Sequence, residues 1–85
     1  MQTSAPTVTA FRRRAASVPG VVRIDKSFIR KMGLSFYVDL HVEVDGNISV
    51  REGHQIAHAV KRAIQKNDPR IADVLVHIEP AKPSS

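Results

Sequence analysis

Eighty-five residues, 42% of them hydrophobic and 25% charged, are enough for one small folded domain near the lower limit of a self-sufficient core, and exclude a disordered chain. With no cysteine, disulfide staples and thiolate metal sites are excluded, so a soft-metal site must use imidazole and carboxylate. The net charge of +5 and pI near 10.3 invite an anionic partner, yet the positive charge is dispersed apart from Arg12-Arg13-Arg14, a run as short as many solvated helix faces.

No stretch approaches the roughly 18 apolar residues of a membrane span and no signal peptide is visible, so the chain as given is expected to be soluble. Only Phe11, Phe28, Phe36 and Tyr37 are aromatic, so the core must be mainly aliphatic, and an interface with a second copy would help it.

Residues 1–6 are polar and aperiodic and read as a flexible lead-in. Over 7–17, Val8, Phe11, Ala15 and Val18 follow helical spacing, and Pro19-Gly20 ends the helix. Residues 21–32 alternate imperfectly, with Val22, Ile24, Phe28, Arg30 and Met32 on one side and Arg23, Asp25, Ser27, Ile29 and Lys31 on the other. This predicts a strand, and Gly33 the turn out of it.

The strand over 34–45 is cleaner. Phe36, Val38, Leu40, Val42 and Val44 form an apolar face, opposite Tyr37, Asp39, His41, Glu43 and Asp45. One buried and one polar face is the mark of a two-layer domain with helices on one side only. Ser49-Val50-Arg51-Glu52 then reads as a capping box opening a helix. Its buried stripe is predicted to be Val50, Ile56, Ala57, Val60, Ala63 and Ile64, with Arg51, His54, His58, Lys61 and Gln65 on or near the wet side. Asn67-Asp68-Pro69 stops it. The last strand, 71–79, turns Val74, Val76 and Ile78 inward and Leu75, His77 and Glu79 outward, before Pro80 and a polar tail over 81–85.

The order is helix, strand, strand, helix, strand. A crossover through the second helix makes the last strand parallel to the middle one if they are neighbours. The predicted fold is an α+β two-layer sandwich, ferredoxin-like without its first strand, with a three-stranded mixed sheet.

His41, His77 and Glu79 then share the uncovered sheet face, a sound start for a zinc shell that also suits other divalent transition metals. His54 and His58 are four apart on one helical face and could chelate a metal or simply be solvated. Catalysis has little support. No nucleophile motif or phosphate loop is present, and a His41–Glu43 pair is what any exposed strand offers. An RNA-binding sheet would present stacking aromatics, whereas here Tyr37 stands beside Asp39, Glu43 and Glu79, which repel phosphate. No nucleic-acid partner is expected.

Four segments, VPGVVRIDKSFIRKMG, FYVDLHVEVDGNISVREGHQIAH, the helix ending KNDP, and DVLVHIEP, resemble the C-terminal cytoplasmic domain of cation diffusion facilitator metal transporters over about three-quarters of the chain. The resemblance implies a metallochaperone-like domain over 7–80 that forms a homodimer on the cytoplasmic face of the membrane, beside the transporter's membrane domain. It would bind a divalent cation, zinc foremost, at or near the dimer interface, and regulate transport without being an enzyme. The family's ligand positions fall on His41, His54, His77 and Glu79. Where the family often has a first-strand histidine this chain has Asp25, and His58 falls at a position that often holds a polar residue; both are secondary candidates. Under the resemblance, Arg12-Arg13-Arg14 would lie near anionic lipid headgroups. The Asp25 departure leaves open a purely structural dimerisation module, and an RNA-binding ferredoxin-like module is the third reading.

Overall fold

Helices and strands follow in the order read from the sequence: α1 (Val8–Ala16), β1 (Arg23–Met32), β2 (Ser35–Val44), α2 (Val50–Asn67) and β3 (Ile71–Pro80). The computed structural model describes residues 6–83, so most of the 1–6 lead-in and the last two residues of the 81–85 tail lie outside the described residues.

Local chemistry sets each boundary. The Thr7 side chain accepts the Ala10 N–H at 3.2 Å to open α1, and Arg13 and Arg14 sit in its last turn, where positive charge suits the helix dipole. Gly33, at φ +64°, and Leu34 make the two-residue turn between the antiparallel partners Met32 and Ser35, and glycine first is the type II′ pattern. The predicted capping box is formed, with the Glu52 N–H donating to Ser49 Oγ and the Ser49 N–H to Glu52 Oε1.

The sheet runs β1-β2-β3, antiparallel then parallel. Both helices cover one face, where Phe11, Ala15, Val18, Ile24, Val38, Leu40, Val42, Val44, Val60, Ile64, Ile71 and Val74 form one buried cluster. Each fully buried aliphatic or aromatic side chain there contributes about 1.5–3 kcal/mol over exposure, so the central β2 row dominates the core.

Three expectations change. The β1 register passes from Ile24↔Val42 to Ser27↔Leu40, so Asp25 and Lys26 together oppose His41 in a bulge. The bulge inverts the alternation beyond it. Ile29, not Phe28, faces the core, while Phe28 and Met32 are 54% and 58% exposed. Val50, placed in the buried stripe, is the first residue of α2 and 92% exposed; Gly53 is buried there instead. Arg12 is half-buried and donates to Ser27 Oγ at 2.7 Å and to the Ile24 carbonyl at 2.9 Å, fastening α1 beside the bulge. It is therefore not a free member of a basic patch.

Gly20 closes the α1–β1 turn at φ +95°, and a Cβ there would meet Ile56 Cδ1 at 2.7 Å. Gly20→Ala is expected to destabilise by more than about 1 kcal/mol in chemical denaturation. The loss should shrink in an Ile56→Val background, which removes the clashing Cδ1 atom.

Candidate metal centre

Parallel pairing of β2 with β3 sets His41 opposite His77, Glu43 opposite Glu79 and Asp39 opposite Leu75. These residues share the sheet face away from the helices. The His41 and His77 rings stack at 4.4 Å between centroids, 13° from parallel. His41 Nδ1 lies 2.7 Å from Glu79 Oε2. An ionised carboxylate can only accept, so a neutral His41 carries its proton on Nδ1 and presents the Nε2 lone pair. A carboxylate holding the far side of an imidazole is the usual support of a metal-bound histidine.

This donor set suits a divalent cation, with one geometric condition. Imidazole lone pairs lie in the ring plane, and two nearly parallel rings keep theirs in separate planes. One ion held by both histidines therefore requires at least one ring to rotate. Among the described residues no group of three or more His, Asp or Glu side chains already converges as a shell.

The other candidates lie apart. Asp25 occupies the bulge facing His41, but its carboxylate meets Lys82 Nζ at 3.1 Å. His54 and His58 sit exposed on α2, on the helix-covered side of the sheet, with their Nε2 atoms 3.0 Å apart. Along with Ala57, Lys61, Val74 and Val76 they line a shallow groove between α2 and β3. The structure thus brings His41, His77 and Glu79 together and pairs His54 with His58 elsewhere. His54 also edges a groove of about 510 Å³ between the β2–α2 turn and the end of β3, bordered by Val44, Ile48, Val50 and Ile78 and carrying no other imidazole.

The β2 alternation places Glu43 on the wet face, and it does stand on the face away from the helices, but the residue is only 1% exposed. Arg23 Nη2 reaches its Oε1 at 2.9 Å, and the Lys82 N–H donates to the same oxygen at 2.8 Å. The Arg23 bond foremost, then the Lys82 amide, lower its pKa from 4.5 to about 2. Neither Arg23 nor Lys82 is marked as a site residue by the sequence pattern. The only signal for Arg23 was its place opposite an acid in the β1–β2 pairing.

The family described as "Cation efflux protein, cytoplasmic domain" matches residues 4–81. The chain belongs to the cation efflux protein family. It is 36% identical over 70 residues to Metal tolerance protein C1 of Arabidopsis thaliana, covering 82% of this chain and 15% of that one. It is 30% identical over 73 residues to the manganese efflux system protein MneS of Bacillus subtilis, covering 86% and 25%. The chain thus spans a minor part of these relatives' length. Among solved structures, a MamM C-terminal-domain variant in its manganese form aligns at TM-score 0.81 and 26% identity, covering 86% of this chain and 92% of that one. Another in its cadmium form aligns at 0.78 and 28%, covering 87% and 96%. The α-β-β-α-β order and mixed sheet are the metallochaperone-like fold expected of this cation diffusion facilitator domain.

Because folding lowers the Glu43 pKa, its ionised form stabilises the fold above about pH 4.5, and that contribution is lost as pH falls toward 2. Thermal melts from pH 7 to pH 2.5 should show this loss. Glu43→Gln should melt lower at pH 7 and respond less to acid.

Proposed function

We propose that this chain is the dimerising, cation-responsive cytoplasmic module of a divalent-metal efflux transporter, and that the ion binds on the open sheet face. The observation that carries this reading is the register that sets His41 beside His77 with Glu79 bonded to His41. Two imidazoles and a carboxylate suit zinc, while the added oxygen of Asp25 would favour manganese. The manganese in one relative's name and the manganese and cadmium forms of the structural neighbours support a site open to several divalent ions.

One chain offers two free imidazoles here, and its two carboxylates, Glu79 and Asp25, are already engaged by His41 and Lys82, so its unengaged donors fall short of the four a closed tetrahedral site needs. A second copy is the natural source of the remainder. Packed open face to open face it brings its own His41, His77 and Asp25, whereas His54 and His58, on the helix-covered side, would serve only from a copy that approaches past the β2–α2 turn. Phe28 and Leu75, 54% and 55% exposed, flank Asp39 in the row next to the histidines. A partner covering that apolar pair would bring its own side chains to the ion. Ligation across the interface then biases the angle between protomers by the ion's differential affinity for the two arrangements, about 1.4 kcal/mol for each tenfold. In this reading the module has no catalytic role. Asp39, Glu43 and Glu79 also weigh against a nucleic-acid partner, although Phe28 joins Tyr37 on that face.

A structural dimerisation module without regulatory metal is the second reading. It is favoured by the partners that Glu79 and Asp25 already have in His41 and Lys82.

Zinc or manganese at a hundred times its dissociation constant should raise stability by about 2.7 kcal/mol, read as a higher melting temperature. His41→Ala with His77→Ala should abolish that shift, and acid should weaken it because imidazole ligates only when neutral. No shift with either ion, and a scattering envelope indifferent to metal, would leave the structural reading standing. Leu75→Glu should convert the dimer to monomer in sedimentation equilibrium; a persisting dimer would place the interface elsewhere.

A further inference from the structure

The segment after β3 does not leave the sheet. The Ala81 N–H donates to the Val44 carbonyl at 2.7 Å, the Lys82 N–H to Glu43 Oε1 at 2.8 Å, and Arg23 Nη2 to the Lys82 carbonyl at 3.1 Å. These bonds carry the chain across the end of β2 toward β1 and fix the Lys82 backbone. Its side chain then reaches back to Asp25, Nζ to Oδ2 at 3.1 Å.

Asp25 is one of the two bulge residues set against His41 in the strand pairing, and His41 is bonded to Glu79. The Lys82 ammonium therefore lies among carboxylates. Asp25 raises its pKa most, and Glu43 and Glu79 add to the effect. A positive charge already occupies the acidic corner that a divalent cation would use.

We propose that Lys82 is a tethered counter-cation of the open-face site: its ammonium holds Asp25 while no ion is bound, and a divalent ion gains Asp25 only by displacing it. Lys82 thereby sets the threshold concentration at which the site fills and couples filling to release of its own side chain. The inference rests on the reading of the open face as the cation site. The geometry suits a displaceable competitor. The Lys82 side chain is 62% exposed and that of Asp25 23%, so their pairing is screened and weak, while the backbone bonds keep the ammonium at high local concentration.

Titration calorimetry of the full chain with zinc and with manganese, at neutral pH, tests this. Lys82→Met should bind about three- to tenfold more tightly than the unsubstituted chain, the range a partly screened competing charge provides. Lys82→Arg, which keeps the charge, should retain the original affinity. In an Asp25→Asn background the Lys82→Met gain should vanish. Equal or weaker binding by Lys82→Met, or a gain that survives Asp25→Asn, overturns the role of Lys82 and leaves the cation site standing. Binding of neither ion to any of these chains overturns both.

Discussion

The parallel register of β2 and β3 is the constraint on which the candidate site depends. Side chains alternate along a strand, so a slip of one residue would set His41 against a core-facing neighbour and carry the β3 apolar row to the open face. Both ends of the pairing are pinned. At the start, Asp68 accepts the Arg70 N–H at 3.1 Å and its guanidinium at 2.8 and 2.9 Å, and the Phe36 N–H donates to the Arg70 carbonyl at 3.0 Å. At the finish, the Ala81 N–H reaches the Val44 carbonyl. Between them, Val38, Leu40 and Val42 are 1% exposed or less and cannot be turned outward without emptying the core. The histidine pair follows from aliphatic packing on the opposite face.

That dependence explains what the sequence disclosed. The β2 alternation was clean because this central strand has one face wholly in the core, and it led directly to His41, His77 and Glu79 on a common face. The α2 capping box was legible because its chemistry is local to Ser49 and Glu52. The β1 bulge was not. It adds a single residue against His41, and the apolar residues on both sides, Ile24, Phe28, Ile29 and Met32, fit either phase when read alone. Only pairing with β2 decides that Ile29 turns inward. Val50 failed for a similar reason: helical periodicity takes no account of where a helix first meets the sheet.

The contacts that were illegible are those joining distant parts of the chain. Arg12 crosses from α1 to the β1 bulge, and Glu43 is buried by Arg23 from the neighbouring strand and by Lys82 from beyond β3. Nothing local to Glu43 distinguishes it from Asp39 or His41, its alternate neighbours on the same face. Burial of a carboxylate there is affordable only because a guanidinium and an amide both serve it.

Taken together, these pairings make the open face internally compensated. Asp25 has Lys82, Glu43 has Arg23, Glu79 has His41, and Asp39 has Arg30 at the longer distance of 3.9 Å. An incoming cation therefore meets carboxylates that already have partners and imidazoles whose lone pairs do not converge. On the proposed reading it would have to turn a ring and displace an internal charge before gaining a full shell, and both costs would come out of its affinity. For a storage site that arrangement would be a defect. For a module whose proposed role is to respond when ion levels rise, the same costs would hold the site empty at low concentration. They would also tie occupancy to movement of named groups, the histidine rings and the Lys82 side chain, at the face where a second copy would pack.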